Sequence, residues 1–448
     1  MSHRTLFLVV LAFVALWSAP ALSANSNLTV EARLAQPVMK TDSTQRNYLR
    51  VALGGCRPEP SENRTPVNVA FVIDRSGSMS GDRIEQAREA AIMAVQRLGP
   101  QDIASVVVFD TRANVLVPAG YVVNPVDFAE PIRRIGIGGS TAIHDGVLSG
   151  RGEVLKFLDP RRLNRIVLLS DGQANVGPSR VEDFARLGKV LMAEGVSVST
   201  VGLGLDYNED LMLELARASD GNHAFARNPS DLISIFDREF NDVLASCAQT
   251  VSIDIDLKPG VRVVRAISRE GTIEAHKAEF RMNQVYARAE HYVLLEVEFA
   301  KDIAVSGERE FGVVKVAYTN ARSGGAEAID TPIRARFSKS DAEVNAGADL
   351  KVRESVVEQV ARARAREAVA LHDKGRFEEA RTLFKQNATE LNAFIGSVAS
   401  PSENIRQLAT QYSTLGTQAA PTSPSMLGYQ RKLLRALDSS GAGAATRY

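Results

Sequence analysis

Asp74-Arg75-Ser76-Gly77-Ser78 is the stretch on which the reading of the fold turns. It follows an apolar run at residues 67–73. It precedes a helical pattern in which Ile84, Ala87, Ala91, Ala94, Val95 and Leu98 share one face. A short continuous apolar run, a tight polar loop and an amphipathic helix make one strand–loop–helix unit of a sheet buried on both faces. Further buried strands are expected at residues 103–109, 166–169 and 196–201. Ser179 and Glu182 form a capping box that opens another helix, closed by Gly195. Asn228-Pro229 opens a last helix that runs to about Leu244, with Leu232, Ile235, Phe236, Phe240 and Val243 inward. Strands alternating with helices over residues 66–245 predict an α/β unit with a doubly wound, mostly parallel sheet.

Both flanks have a different period. Leu28, Val30, Ala32 and Leu34 alternate with polar residues, and residues 48–53 do so again. From Thr250 the period is also two, with Val251, Ile253, Ile255 and Leu257 on one face and further runs at residues 291–299, 311–318 and 333–337. Pairing of 24–57 with 250–340 would make an antiparallel β domain into which the α/β unit is inserted. Residues 349–438 read as a C-terminal helical segment. Val357, Val360, Ala361, Ala368 and Leu371 mark one helix, Phe377, Ala380, Leu383 and Phe384 the next, and Lys374-Gly375-Arg376 the turn. That hairpin resembles one tetratricopeptide unit through Gly375, Phe377, Ala380 and Phe384. One unit is too few for an array, so it is expected to pack on its own chain or pair in a dimer, a peptide groove being the other reading. Residues 439–448 are small and polar and read as a flexible tail.

The chain has 448 residues, enough for several domains with sizeable cores. Its 53 basic and 53 acidic residues cancel, which excludes a nucleic-acid backbone as the default partner. Two cysteines and six histidines leave little for a thiolate zinc site. His3 and Arg4, an apolar run at residues 6–17 and the small residues Ala19-Pro20-Ala21-Leu22-Ser23 read as a signal peptide, cut after Ser23. No later stretch is apolar and long enough for a transmembrane segment. The expected destination is outside the cytoplasm, periplasmic or extracellular.

Three loops offer oxygen donors: Asp74 to Ser78, Gly138-Gly139-Ser140-Thr141, and Ser170-Asp171-Gly172. Loops at the carboxyl ends of parallel strands are where such sheets bind ligands. Carboxylates and hydroxyls without thiol or imidazole suit a hard divalent cation: Mg²⁺, with Mn²⁺ or Ca²⁺ as alternatives.

At Asp74, Ser76, Ser78, Thr141 and Asp171 the chain resembles the metal-ion-dependent adhesion site of von Willebrand factor type A domains. The resemblance covers about residues 66–245 and implies a Rossmann-like fold. It implies that Ser76, Ser78 and Thr141 bind the metal by their hydroxyls, with Asp74 and Asp171 acting directly or through water. The layout is similar to secreted bacterial members, through residues 202–210 as well, and to inter-alpha-trypsin inhibitor heavy chains. Such a site presents the cation to an Asp or Glu carboxylate on a protein partner. The expected function is therefore an exported, non-enzymatic binding protein. The competing readings are an envelope scaffold whose type A domain is mainly structural, and a metal-dependent hydrolase.

Other motifs are weaker. Gly77-Ser78-Met79-Ser80-Gly81 puts Met79 where a hydrolase serine would stand. Gly202-x-Gly204 lacks a third glycine for a dinucleotide. His144 and His223 are candidate bases that read better as satisfied side chains, and Asp110 is either a support to the site or an exposed turn carboxylate. Cys56 and Cys247 bracket the α/β unit, and in an exported chain they are expected to be bonded, free thiols or an intermolecular bridge being the alternatives. In the domains that this one resembles, the last helix slides along the sheet as the metal site switches affinity. A bond at Cys247 would limit that travel.

Overall fold

The computed structural model describes residues 28–41, 43–56, 65–204, 207–226, 231–232, 234–235, 246–303, 307–418 and 446–447. The expected signal peptide and most of the helix expected from Pro229 to Leu244 lie outside them. Leu232 and Ile235 of that helix are described, and both are buried.

The chain opens with β1 (Leu28–Leu34), β2 (Val38–Lys40) and β3 (Gln45–Gly55). It then enters the α/β unit through β4 (Val67–Asp74), α1 (Asp82–Gln96), β5 (Ile103–Phe109), β6 (Ala113–Tyr121), α2 (Val126–Arg133), α3 (Ile143–Leu155), β7 (Leu163–Ser170), α4 (Val181–Ala193), β8 (Val196–Leu203), α5 (Glu209–Ala218) and β9 (His223–Ala226). The sheet order is β6-β5-β4-β7-β8-β9, parallel except for the edge strand β6, which runs against β5. Every residue of β4, β5, β7 and β8 is buried, as both faces are covered. Val67, Val69, Phe71 and Ile73 pack with α1 and α2, while Ala70 and Val72 pack with α3, α4 and α5. Helix α3 sits close on the sheet because a Cβ at Gly146 would come within 2.7 Å of Phe109 and one at Gly150 within 2.6 Å of Val72.

The remaining strands are β10 (Ser246–Leu257), β11 (Val261–Ala266), β12 (Thr272–Ile273), β13 (Lys277–Tyr286), β14 (Ala289–Phe299), β15 (Gly307–Asn320) and β16 (Ala326–Ser338). One sheet runs β1-β3-β14-β11 and the other β12-β13-β10-β15-β16-β2, and their inner faces share one core. Pairing of β3 with β14 spans the whole α/β unit, so that unit is an insertion in the β domain. Residues Cys56 and Cys247, at its two ends, are disulfide-bonded.

Helices Leu350–Asp373, Phe377–Ser397 and Glu403–Thr417 follow, after a short helix at Asp341–Ala346. The hairpin around Gly375, where φ is 74°, buries its apolar face against Ile405, Leu408, Ala409 and Tyr412 of the third helix. Its first helix docks on the β domain, with Val352 against Ala52, Tyr292 and Leu294. It thus packs on its own chain.

The structure departs from the sequence reading at the Ser179 capping box and at residues 446–447 of the expected tail. The capping box at Ser179 is not made: α4 starts one residue later, with extended Arg180 as its N-cap and no side-chain cap. Of the expected flexible tail, Thr446 and Arg447 pair antiparallel with Glu290 and Ala289, at the edge of a sheet with backbone groups to offer.

Candidate metal centre

Asp74 is the last residue of β4, and its carboxylate is fully buried. Its Oδ1 accepts from the Ser76 N–H at 2.8 Å, folding the loop back on itself. Its Oδ2 accepts from the Ser170 hydroxyl at 2.5 Å, which ties β4 to the end of β7. Ser76 Oγ lies 3.1 Å from Ser78 Oγ, and Ser78 Oγ donates to Asp171 Oδ1 at 2.7 Å. Ser78 is exposed, whereas Ser76 and Asp171 are buried, so the group opens to solvent on the serine side.

Thr141, buried at the start of α3, is anchored through its backbone. Its N–H donates to Asn175 Oδ1 at 2.7 Å, and its carbonyl accepts from the Asn175 N–H at 3.1 Å. The Thr141 loop is pinned to the first loop by Gly77 N–H on the Gly139 carbonyl and Gly138 N–H on the Arg75 carbonyl, at 2.9 and 2.6 Å. Gly172 leaves the space between them. A Cβ there would lie 3.0 Å from Thr141 Oγ1 and 3.3 Å from Asp74 Oδ2. Asp74, Ser76, Ser78, Thr141 and Asp171 are thus brought together from three loops.

The charges are unevenly matched. Asp171 is ion-paired with Arg83 of α1. Asp110 is ion-paired with Arg75 at 2.7 Å, so it holds the loop rather than standing free on a turn. Asp74 receives neutral donors, and burial pushes its carboxyl up to about 6 against the pull of the Ser170 and Ser76 hydrogen bonds, with the neighbouring Asp171 charge adding to the rise. A buried carboxylate with a raised affinity for protons is one that a cation would satisfy. Among the described residues no group of three or more His, Cys, Asp or Glu could hold a metal. Here three of the five donors are hydroxyls, and that mixture, with the space kept by Gly172, fits a hard divalent cation.

Asn175 and Arg83 are the residues that sequence reasoning missed. Ser170 stood within the quoted Ser170-Asp171-Gly172 triple. Asn175 and Arg83 carry no spacing that marks them. His144 lies edge-on to Phe184, and both ring nitrogens of His223 are engaged, by Thr200 at 2.8 Å and Tyr207 at 3.3 Å.

The family profile described as "von Willebrand factor type A domain" matches residues 68–238. The Synechocystis sp. protein sll0103 is 27% identical over 324 residues, which are 70% of this chain and 76% of that protein. Rat inter-alpha-trypsin inhibitor heavy chain H3 is 32% identical over 170 residues, 36% of this chain but 19% of that protein. In fold, the chain is similar to a von Willebrand factor type A protein from Catenulispora acidiphila, with TM-score 0.65, 17% identity, and coverage of 82% of this chain and 89% of that one. It is also similar to the ArnB paralog VWA2 from Sulfolobus acidocaldarius, with TM-score 0.63, 18% identity, and coverage of 93% and 99%. Residues 68–238 match the von Willebrand factor type A domain family, and that segment is inserted in a β domain that also carries a helical tail.

Proposed function

We propose that this is an exported binding protein whose type A domain holds a divalent cation, Mg²⁺ in the first instance, and offers it to an acidic side chain of a protein partner. The observation that carries the reading is the convergence of Asp74, Ser76, Ser78, Thr141 and Asp171 at one surface opening. Domains of this family are often metal-dependent protein-interaction domains. Ser76, Ser78 and Thr141 would contribute neutral hydroxyls, and Asp74 and Asp171 the negative charge. A cation so held keeps an open position for a carboxylate. The three loops do the orienting: Asp74 and Ser170 fix two strand ends, and Asn175 fixes the Thr141 loop.

Export is supported by the disulfide, since such bonds persist in oxidising compartments. Among the described residues no helix is long and apolar enough to cross a membrane. Capture of envelope proteins on the immobilised chain, with Mg²⁺ and again with chelator, tests the function. Loss of the captured protein in chelator and in the Ser76→Ala/Ser78→Ala protein is the expected result. Equal capture in all three conditions overturns the reading and favours a scaffold that binds through its β or helical parts.

A further inference from the structure

Asp171 reaches the candidate metal centre with both oxygens engaged. Its Oδ1 accepts from the Ser78 hydroxyl at 2.7 Å, and its Oδ2 accepts from Arg83 Nη1. The Asp171 side chain is 0% exposed and that of Arg83 30%, so the pair sits at the inner edge of the opening. The guanidinium is held from two further sides. Its Nη1 donates to the Ser78 carbonyl at 3.3 Å, and it lies along Gly204, where a Cβ would come within 3.2 Å of Nη2. Gly204 has φ 68°, a backbone conformation that side-chain-bearing residues rarely adopt. Asp74, by contrast, is held by the Ser76 N–H and the Ser170 hydroxyl, both neutral.

We propose that Arg83 is a built-in counter-charge of the metal centre, one that weakens cation binding and keeps the bound cation attractive to a partner's carboxylate. The inference rests on the metal-binding reading above. Asp74 and Asp171 contribute two negative charges and Arg83 one positive. A divalent cation among these three groups therefore keeps one unit of excess charge. Without the arginine that excess would fall by one unit, and an incoming carboxylate would meet a less positive site. Close charges in a partly dry site act on each other strongly. Loss of Arg83 thus tightens the cation and loosens the carboxylate, two effects of opposite sign. A merely structural arginine would move both in one direction. It also follows that metal-free protein is not left with two uncompensated carboxylates side by side.

The test is Mn²⁺ and Mg²⁺ titration by calorimetry, followed by titration of the Mn²⁺-loaded protein with a glutamate-rich peptide. Arg83→Gln should bind Mn²⁺ about 10- to 100-fold more tightly, in keeping with the effect of one nearby charge, and should bind the peptide more weakly. Arg83→Lys keeps the charge and should stay near the parent on both counts. If Arg83→Gln is not recovered folded, the pair Asp171→Asn and Arg83→Gln/Asp171→Asn replaces it. There too, removing the arginine should tighten Mn²⁺. Parent protein that binds Mn²⁺, with no gain on removing Arg83 in either background, overturns this inference and leaves the metal reading standing. If neither parent nor variants bind Mn²⁺, the metal reading fails and takes this one with it.

Discussion

Arg165, in the third position of β7, donates to the Tyr286 hydroxyl of β13 at 2.5 Å, joining the type A domain to the β domain through a fully buried guanidinium. Its other terminal nitrogen donates to Ser199 Oγ at 3.0 Å. Ser197, near the start of β8, adds contacts to Asn283 and Gln284. The β domain thus grips the amino ends of the parallel strands, whereas the loops of the candidate metal centre lie at their carboxyl ends. At roughly 3.3 Å per residue, a strand such as β4 puts about 23 Å between the two. Tyr286→Phe removes one partner of a buried charged group and should lower the unfolding free energy by about 1–3 kcal/mol. Denaturant titration reads that loss. Calorimetry should find the Mg²⁺ affinity unchanged.

Asp74 links proton affinity to stability. Its carboxyl is raised from 3.8 to about 6, so the folded protein holds that proton more tightly than the unfolded chain. Folding is then favoured while the group is protonated. This advantage is lost as pH rises from about 4 through about 6, a shift of about two units or ~3 kcal/mol. Asp74→Asn, measured in chelator, should gain on the parent across that window and level off above it. The same protein should bind no Mg²⁺. A stability difference independent of pH would contradict the assignment.

Gly172 is where a single methyl should separate metal binding from folding. An alanine Cβ would press on Thr141 and Asp74 at 3.0–3.3 Å. Gly172→Ala is expected to bind Mg²⁺ about tenfold more weakly, as disturbed support around a metal does, with a thermal midpoint close to the parent. Thr141→Ala should weaken binding as well by removing one oxygen. Calorimetry beside thermal melting checks both.

The disulfide offers a further test. It closes a loop of 191 residues, for which chain entropy allows up to roughly 5 kcal/mol of stabilisation. Cys56→Ser/Cys247→Ser should therefore melt earlier and keep its Mg²⁺ site. Partner affinity in this protein measures whether the bond also restrains the segment that ends at Cys247. Identical affinity would make it a staple and nothing more.

Much of this architecture was legible in the pattern of residues. Continuous apolar runs are rare outside doubly covered strands, so β4, β5, β7 and β8 announced themselves. The edge strand β6 did not: its residues are half-exposed or exposed, and Pro118 and Gly120 interrupt the alternation. Strand β13 does alternate, with Ala278, Phe280 and Met282 inward, but its polar positions Asn283 and Gln284 serve the domain joint and hid its end. At the site, the oxygen donors could be read because their residue types are chemically special. Arg83 could not, since an arginine early in a helix is ordinarily a solvated surface charge. What singles it out is the partner it meets 88 residues away, and that is a property of the tertiary structure.

The Cα atoms of Cys56 and Cys247 are 5.7 Å apart, so the whole type A domain leaves and re-enters the β domain at nearly one point. Chain ends that close are the geometry in which a domain can be lifted out and replaced by another. The β domain and helical tail can therefore serve as a fixed socket. Chimeras that exchange residues 57–246 for another type A domain should keep the socket and acquire the donor's binding specificity.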